Sequence, residues 1–217
     1  MKTKFLIVVF LFFGTAVFAQ TMVRNTGETT FGLRAGVNFQ NLNGKDANDN
    51  DLDNKLLTGF HGGVNAEIPV GSGFYVQPGI LYSRKGTKGT GNNKIKLNYI
   101  EAPVNFIYKP VVGSGNLLLG FGPYAAYAIG GEIEYSNGIK NDIDFGEDYN
   151  GINAATAFKS FDAGAGLLAG YEFVNKFSFQ LNAQLGLVNI NKENPANSND
   201  KSRWRNTGFG VSLGYRL

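Results

Sequence analysis

The sequence predicts an all-β protein, an eight-stranded antiparallel up-and-down transmembrane β-barrel. Apolar and polar residues alternate with a period of two in eight separate segments, which is typical of strands with two chemically different faces. Most segments are about nine to thirteen residues long, which suits a tilted strand that crosses a bilayer. Long polar connections alternate with short ones, as they do when long loops lie at one mouth of a barrel and tight turns at the other.

Composition narrows the classes of protein that the chain can form. It has 217 residues, of which 43% are hydrophobic, and this content is too high for a disordered chain. The mean hydropathy is only -0.14, so apolar residues must be interspersed with polar ones. The absence of cysteine excludes a disulfide scaffold, a thiolate metal site and a cysteine nucleophile. A single histidine disfavours a zinc hydrolase, and no cofactor is predicted.

The first 19 residues have the organisation of a secretory signal peptide. Lys2 and Lys4 precede an apolar run over residues 5–18, and Ala19 offers a small residue for cleavage. The run is shorter than the roughly 20 residues that a membrane-spanning helix needs. We therefore predict that residues 20–217 form the barrel domain. Loss of Lys2 and Lys4 lowers the formal net charge from +3 to +1, which gives no support for nucleic-acid binding.

The eight alternating segments and their connections follow one another regularly along the chain. In the seventh segment, for example, Phe179 and Leu181 alternate with Gln180 and Asn182. The segments lie at 31–39, 60–68, 74–83, 99–108, 117–129, 161–173, 177–187 and 208–217. The long connections lie at 40–57, 84–95, 130–157 and 189–205, and the short ones at about 70–73, 109–115 and 174–176.

The two faces of these strands differ in chemistry. One face is almost wholly apolar, and the other combines polar residues with many glycines. In hydrocarbon every backbone N–H and C=O needs a partner, so the sheet must close, with its apolar face toward lipid. A soluble calyx that binds an apolar ligand would reverse the faces and is the alternative. Strand length, the glycines and tyrosines near strand ends favour the membrane barrel. These tyrosines are Tyr82, Tyr108, Tyr127, Tyr171 and Tyr215.

Four charged residues are predicted to form a structural cluster in the lumen. Arg34, Glu67, Glu172 and Arg216 alternate with the apolar face and fall in the half of the barrel near the short turns. Unpaired buried charges are costly, so we expect the two signs to pair. The lumen of an eight-stranded barrel is filled by side chains. The sequence therefore predicts a plugged lumen without an open pore.

Several stretches resemble the small outer-membrane β-barrel proteins common in Bacteroidetes, a group that includes PorT-like proteins and is similar to the eight-stranded OmpA- and OmpX-like barrels. The resemblance covers nearly the whole chain after the signal peptide. The stretches that carry it are FGLRAGVN at 31–38, VQPGILYS at 76–83, YIEAPVN at 99–105, LGFGPY at 119–124 and the ending 208–217.

The resemblance implies a location in the outer membrane, reached by secretion through the signal peptide. It implies contact with outer-membrane lipid and lipopolysaccharide. The final residues Leu213, Tyr215 and Leu217 resemble the C-terminal signal read by the outer-membrane assembly machinery. The resemblance thus favours a structural or surface-interaction protein. A PorT-like part in protein export is the alternative within the same fold.

No catalytic or metal-binding residue is predicted, and the protein is predicted not to be an enzyme. His61 alternates with the apolar face, so it points inward, whereas a lipid hydrolase would need its histidine at the lipid surface. The run 46–53 is similar to the start of an EF-hand, but Asp51 stands where glycine is needed and Leu57 where glutamate is needed. Partner recognition is expected, if anywhere, in the loops 40–57 and 130–157.

Overall fold

A computed structural model describes residues 27–143, 145, 158–192 and 201–217. The predicted signal peptide, residues 1–19, lies outside these ranges. The described residues form ten β-strands: β1 Thr30–Lys45, β2 Leu57–Gly71, β3 Phe74–Lys88, β4 Lys94–Tyr108, β5 Val111–Val112, β6 Gly115–Glu134, β7 Lys140–Asp142, β8 Phe161–Glu172, β9 Phe177–Gly186 and β10 Arg203–Arg216. No helix in this part of the chain is long and apolar enough to cross a membrane.

The eight long strands close into a single barrel. Their order around the sheet is β4-β3-β2-β1-β10-β9-β8-β6, all neighbours are antiparallel, and β4 pairs with β6 to complete the ring. The first and last strands pair from Gly32 and Arg216 to Lys45 and Arg203. The two short strands add to β6, β5 at the mouth with the short turns and β7 at the mouth with the long loops. The predicted eight-stranded antiparallel barrel is confirmed.

The apolar face of each strand points outward. Phe121 and Leu181 expose 60% and 51% of their surface on the outside, whereas Gln180 and Glu101 inside expose 6% and 2%. A soluble calyx requires the reverse, because its apolar residues surround an internal ligand. The calyx alternative is therefore excluded. The exterior is a belt of apolar side chains that only a hydrocarbon phase would solvate well.

The polarity of both faces reverses toward the long-loop mouth. On β4 the outward side chains change from polar at Asn98 to apolar at Ile100, while the inward side chains change from Tyr99 to the carboxylate of Glu101. The period of two continues without a break across this point. We call this level the polarity switch. A strand that passes from hydrocarbon into water should show such a reversal, because its outer face must then be polar and its inner face can hold an apolar core.

Neighbouring strands place the polarity switch at the same height. On β1 the outward residues change from Phe39 to Asn41, and the next inward residue, Leu42, is fully buried. Phe39 pairs with Phe209 of β10, and Asn41 pairs with Thr207. The change from aromatic to polar thus occurs at one level on both strands. This level marks the edge of the apolar belt.

Five strands continue past the polarity switch and are longer than the sequence predicts. β1, β3 and β6 end at Lys45, Lys88 and Glu134, while β4 and β10 begin at Lys94 and Arg203. Sequence analysis assigned these extensions to the long connections. The reasons are physical: on β1, β4 and β10 the apolar residues above the switch lie on the opposite face, on β6 a register shift changes which residues face inward, and residues 84–88 of β3 include no apolar side chain. The long connections are therefore shorter than predicted.

Three prolines lie within β3, β4 and β6 at interruptions of the strand pairing. Pairing of β3 with β4 passes from Pro78 directly to Leu81. Pairing of β4 with β6 passes from Pro103 directly to Phe106. Pro123, on β6, lies in the same interruption. Proline has no N–H to donate to the ladder, so these positions tolerate it.

Candidate functional site

An ion network occupies the lumen near the short-turn mouth. The Lys109 ammonium lies 2.7 Å from a carboxylate oxygen of Glu67 and 2.9 Å from one of Glu172. The other oxygen of Glu67 lies 2.8 Å from the Arg216 guanidinium, which also donates to the Asn65 side chain at 2.7 Å. Two cations and two carboxylates thus balance one another. Such mutual pairing is what makes buried charges tolerable.

Lys109 is the member of this network that sequence analysis missed. It directly follows β4, in a connection assigned to a polar turn. Its backbone N–H donates to the carbonyl of Gly73, which folds the turn against its neighbour and lets the side chain enter the lumen. Charge balance gave no signal for it, because the predicted cluster of Arg34, Glu67, Glu172 and Arg216 already held two charges of each sign. Room for Arg216 comes from Gly32, where a β-carbon would lie 2.7 Å from the guanidinium.

Arg34 lies outside this network. It was predicted to cluster with Glu67, Glu172 and Arg216, and the structure instead places its guanidinium 3.3 Å from the side-chain oxygen of Asn182 on β9. The strand registers explain the separation: Arg34 pairs with Gly214, two residues farther from the short-turn mouth than Arg216. The side chain therefore points toward the middle of the lumen.

A second ion network lies closer to the polarity switch and is more deeply buried. The Lys85 ammonium lies 2.8 Å from Glu101 and 3.5 Å from Asp162, and the three side chains expose 0%, 2% and 0% of their surface. Tyr124 contributes its ring, whose centroid is 4.1 Å from the ammonium. Gln184 donates to Glu101 at 2.6 Å. One cation thus holds two carboxylates inside the barrel.

Glu101 and Asp162 belong to the polar face that the sequence predicts to point inward. Lys85 was not predicted to lie there. The segment 84–95 was assigned to a loop because lysines and glycines dominate it. The inward set of β3 continues regularly, however, through Leu81, Ser83, Lys85 and Thr87, all of them buried. Continuing the period of two past residue 83 would have pointed Lys85 into the lumen.

Two small polar cavities lie between the ion networks. Each has a volume of about 30 Å³, enough for a water molecule, and Arg34, Glu101 and Asn182 line both. His61 lines the first cavity together with Ser83. This histidine is buried inside the barrel, as the sequence predicts, so its ring does not face the apolar belt where a lipid substrate would lie.

An apolar cluster fills the lumen beyond the polarity switch. Its fully buried members include Leu42, Leu97 and Ile190. Phe158 packs against the ring of Trp204, with ring centroids 5.6 Å apart. Inward apolar side chains of the strands form this core together with Ile143, Phe158 and Ile190, which lie outside the strands. The sequence did not predict this core, because four of its ten buried members, Leu42, Ile133, Ile143 and Ile190, fall in segments that were assigned to loops.

Comparison with known proteins agrees with this architecture. Residues 18–192 match the family model described as "Outer membrane protein beta-barrel domain". The chain belongs to this family. A search of curated proteins found no match to this chain.

Solved structures of small outer-membrane proteins are similar to it over 88% of its chain and 100% of theirs. They include Ail, the attachment invasion locus protein of Yersinia pestis, in complex with the heparin analogue sucrose octasulfate, at 12% identity and a TM-score of 0.43. Neisserial surface protein A has 12% identity and a TM-score of 0.49. A major outer membrane protein from Thermus thermophilus has 16% identity and a TM-score of 0.46.

The outer-membrane barrel presents a charged wall above the polarity switch. On the outward faces of β3, β4 and β6, the cations of Arg84, Lys94 and Lys96 all lie within 4 Å of a carboxylate of Glu132 or Glu134. Glu132 and Glu134 belong to the predicted recognition loop 130–157. The structure places them on β6 instead, while residues 144 and 146–157 of that loop lie outside the described ranges.

The acidic run 46–53 of the outer-membrane barrel forms a local turn. The Asp46 carboxylate accepts hydrogen bonds from the backbone N–H groups of Asn48 and Asn50, both at 2.9 Å, and from the Asn50 side chain. The backbone N–H of Asn50 contributes most to holding the pKa of Asp46 below its ordinary value. The carboxylate is thus used to shape the loop. No group of three or more potential metal ligands occurs among the described residues.

Proposed function

We propose that the protein is an integral outer-membrane barrel with a closed lumen and a structural or surface-interaction role. The observation that carries this proposal is the filling of the interior. An ion network of two cations and two carboxylates, a second network of one cation and two carboxylates, and an apolar cluster follow one another along the lumen, and the two small cavities have volumes of about 30 Å³ each. In the part of the chain that the structure describes, this filling supports a lumen closed to solutes larger than water.

The surfaces that remain available for function are the apolar belt and the long-loop mouth. We propose that outer-membrane lipid and lipopolysaccharide cover the belt, and that the C-terminal strand β10 is read by the assembly machinery after removal of residues 1–19. Surface partners would contact the loops 40–57 and 130–157. A rigid barrel that holds loops above a membrane is a common arrangement for recognition. Nothing in this arrangement requires catalysis.

The closed lumen predicts that the purified protein makes no diffusive pore. Liposomes that contain the folded barrel should release a trapped small sugar no faster than protein-free liposomes, because side chains fill the lumen. Sugar efflux can be followed by the change in light scattering as the liposomes lose sugar and water and shrink. A gel-mobility shift on boiling verifies that the inserted protein is folded. Rapid sugar efflux through folded protein would contradict the closed lumen.

Deletion of the gene separates the structural role from a PorT-like role in export. We expect surface proteins to be secreted normally and envelope integrity or attachment to a surface to weaken. Secretion is measured by the amount of a surface protein in the outer membrane and medium, and integrity by leakage of a periplasmic enzyme. Loss of secretion with an intact envelope would replace the structural role by the export role.

A further inference from the structure

An apolar groove lies on one side of the barrel and reaches from the belt to Asn41 and Asn43 at the polarity switch. Its volume is about 810 Å³, and residues of β6, β8, β9 and β10 form most of its lining. Ala165 and Ala183 form part of its floor, while Leu167, Leu185 and Phe209 rise beside them. In the pairing of β8 with β9, Ala165 lies opposite Leu185 and Leu167 lies opposite Ala183. Small and large side chains thus alternate and produce the depression.

Two exposed arginines stand above the upper end of this groove. Arg203 and Arg205 point outward on β10, with Trp204 between them directed into the apolar cluster. Arg205 lies opposite Asn43, a residue that lines the groove, and Thr207, two residues away, also lines it. Two residues of a strand span about 7 Å. The guanidinium of Arg205 is therefore within reach of a headgroup whose hydrocarbon chains enter the groove.

These arginines differ from the cations on the opposite wall. Arg84, Lys94 and Lys96 each have a carboxylate partner there, and Lys45 on β1 pairs with Asp49. By contrast, no ion pair of Arg203 or Arg205 occurs within the described part of the chain. Two adjacent guanidinium groups without a counter-charge favour an external anion. Arginine is suited to phosphate, since its planar fork binds phosphate oxygens in a bidentate manner.

We propose that the groove, with Arg203 and Arg205, binds a phosphorylated, multiply acylated glycolipid of the outer leaflet. Its acyl chains lie over Ala165 and Ala183, and its phosphates lie against the two arginines. The two arginines set the depth of the lipid in the membrane, because its phosphates must lie beside them while its acyl chains stay in the apolar belt. This inference rests on the proposed outer-membrane location. It adds to that proposal the side of the barrel and the side chains that hold the lipopolysaccharide.

The test measures how much bisphosphorylated lipid A stays bound to the folded barrel in detergent, by native mass spectrometry. The double variant Arg203→Gln/Arg205→Gln should bind at least about tenfold more weakly than the wild type, because it loses two charge-assisted phosphate contacts. The matched control Lys94→Gln/Lys140→Gln removes the same charge from the opposite wall and should bind like the wild type. Equal loss in both double variants would overturn the proposal in favour of non-specific charge attraction.

Filling the groove tests the acyl-chain half of the site. The variant Ala165→Phe/Ala183→Phe keeps the arginines and should also weaken lipid A binding about tenfold, because the phenylalanine rings fill the groove that the acyl chains would occupy. Inorganic phosphate should not displace bound lipid A, because the acyl chains contribute to its affinity. Displacement by inorganic phosphate, together with unchanged binding to the filled variant, would reduce the site to a free-anion site and overturn the lipid proposal.

Membrane fractionation separates failure of this inference from failure of the proposed function. If the wild-type protein and the Arg203→Gln/Arg205→Gln variant both sediment with the outer membrane and retain lipid A equally, the inference fails and the outer-membrane location stands. If the wild-type protein is absent from the outer-membrane fraction, both fail. The mobility shift on boiling shows in each case that the variant tested is folded.

Discussion

Replacing Lys85 with methionine is expected to lower the free energy of unfolding by about 3–5 kcal/mol, the cost of breaking a buried ion pair from one side. Lys85 is the one cation within 4 Å of both Glu101 and Asp162 among the described residues, and all three side chains are almost completely buried. Without it, the two carboxylates remain in the lumen with no cation within 4 Å among the described residues. Urea-dependent unfolding from lipid vesicles measures the change.

Two further variants test whether the charge itself is responsible. Lys88→Met, on the same strand, removes a lysine that is only partly buried and should change stability by less than about 0.5 kcal/mol. Lys85→Met combined with Glu101→Gln and Asp162→Asn removes the stranded charges and should recover most of the loss. If the triple variant were as unstable as Lys85→Met alone, the ion network would not be the cause.

Replacing Leu181 with arginine is expected to lower the free energy of unfolding from a bilayer by about 2–4 kcal/mol. Leu181 lies near the middle of β9, and its side chain points outward into the apolar belt. An arginine there must leave water for hydrocarbon or distort the lipid around it. If this face met water instead, the same change would be almost neutral, because the side chain is already exposed.

The matched control is Val111→Arg in β5. Val111 is 79% exposed and lies at the short-turn mouth, at the end of the belt. The cost of a charge on the lipid face falls to about 0–1 kcal/mol near the interfaces. A large loss at Leu181 with a small loss at Val111 is thus the expected depth dependence. Equal effects at the two positions would contradict a membrane-embedded belt.

The eight transmembrane strands could be predicted from the sequence because hydrocarbon imposes a simple rule on them. Every outward residue of β9 from Phe177 to Leu185 is apolar, so the period of two is visible without any tertiary information. The direction of each side chain follows from the same rule. Gln180 was therefore assigned to the interior, and the structure places it there.

The regions above the polarity switch could not be predicted in the same way. On β4 the alternation persists with opposite polarity, so Leu97 faces inward and Lys96 outward, whereas on β6 a register shift opposite Asn98 and Tyr99 turns the odd-numbered residues from outward at Tyr127 to inward at Ile133. A search for apolar residues on one fixed face interprets this as a loop.

The partners of the buried charges depend on contacts that sequence spacing alone does not reveal. Lys85 contacts Asp162, which is 77 positions away along the chain. Lys109 enters the lumen only because of the way its turn folds against Gly73. Sequence analysis could assign Glu67 and Asp162 to the interior, but it could not identify which cations would reach them.

The outward orientation of the apolar face is the central claim, and spin labels placed along β9 test it most directly. The chain has no cysteine, so single cysteines at each position from 177 to 186 can be labelled without background. With the protein in a bilayer, relaxation by oxygen, which concentrates in hydrocarbon, should be strong at Phe177, Phe179, Leu181, Ala183 and Leu185 and weak at the positions between. Strong oxygen relaxation at Ser178, Gln180 and Asn182 instead would contradict the orientation and the account built on it.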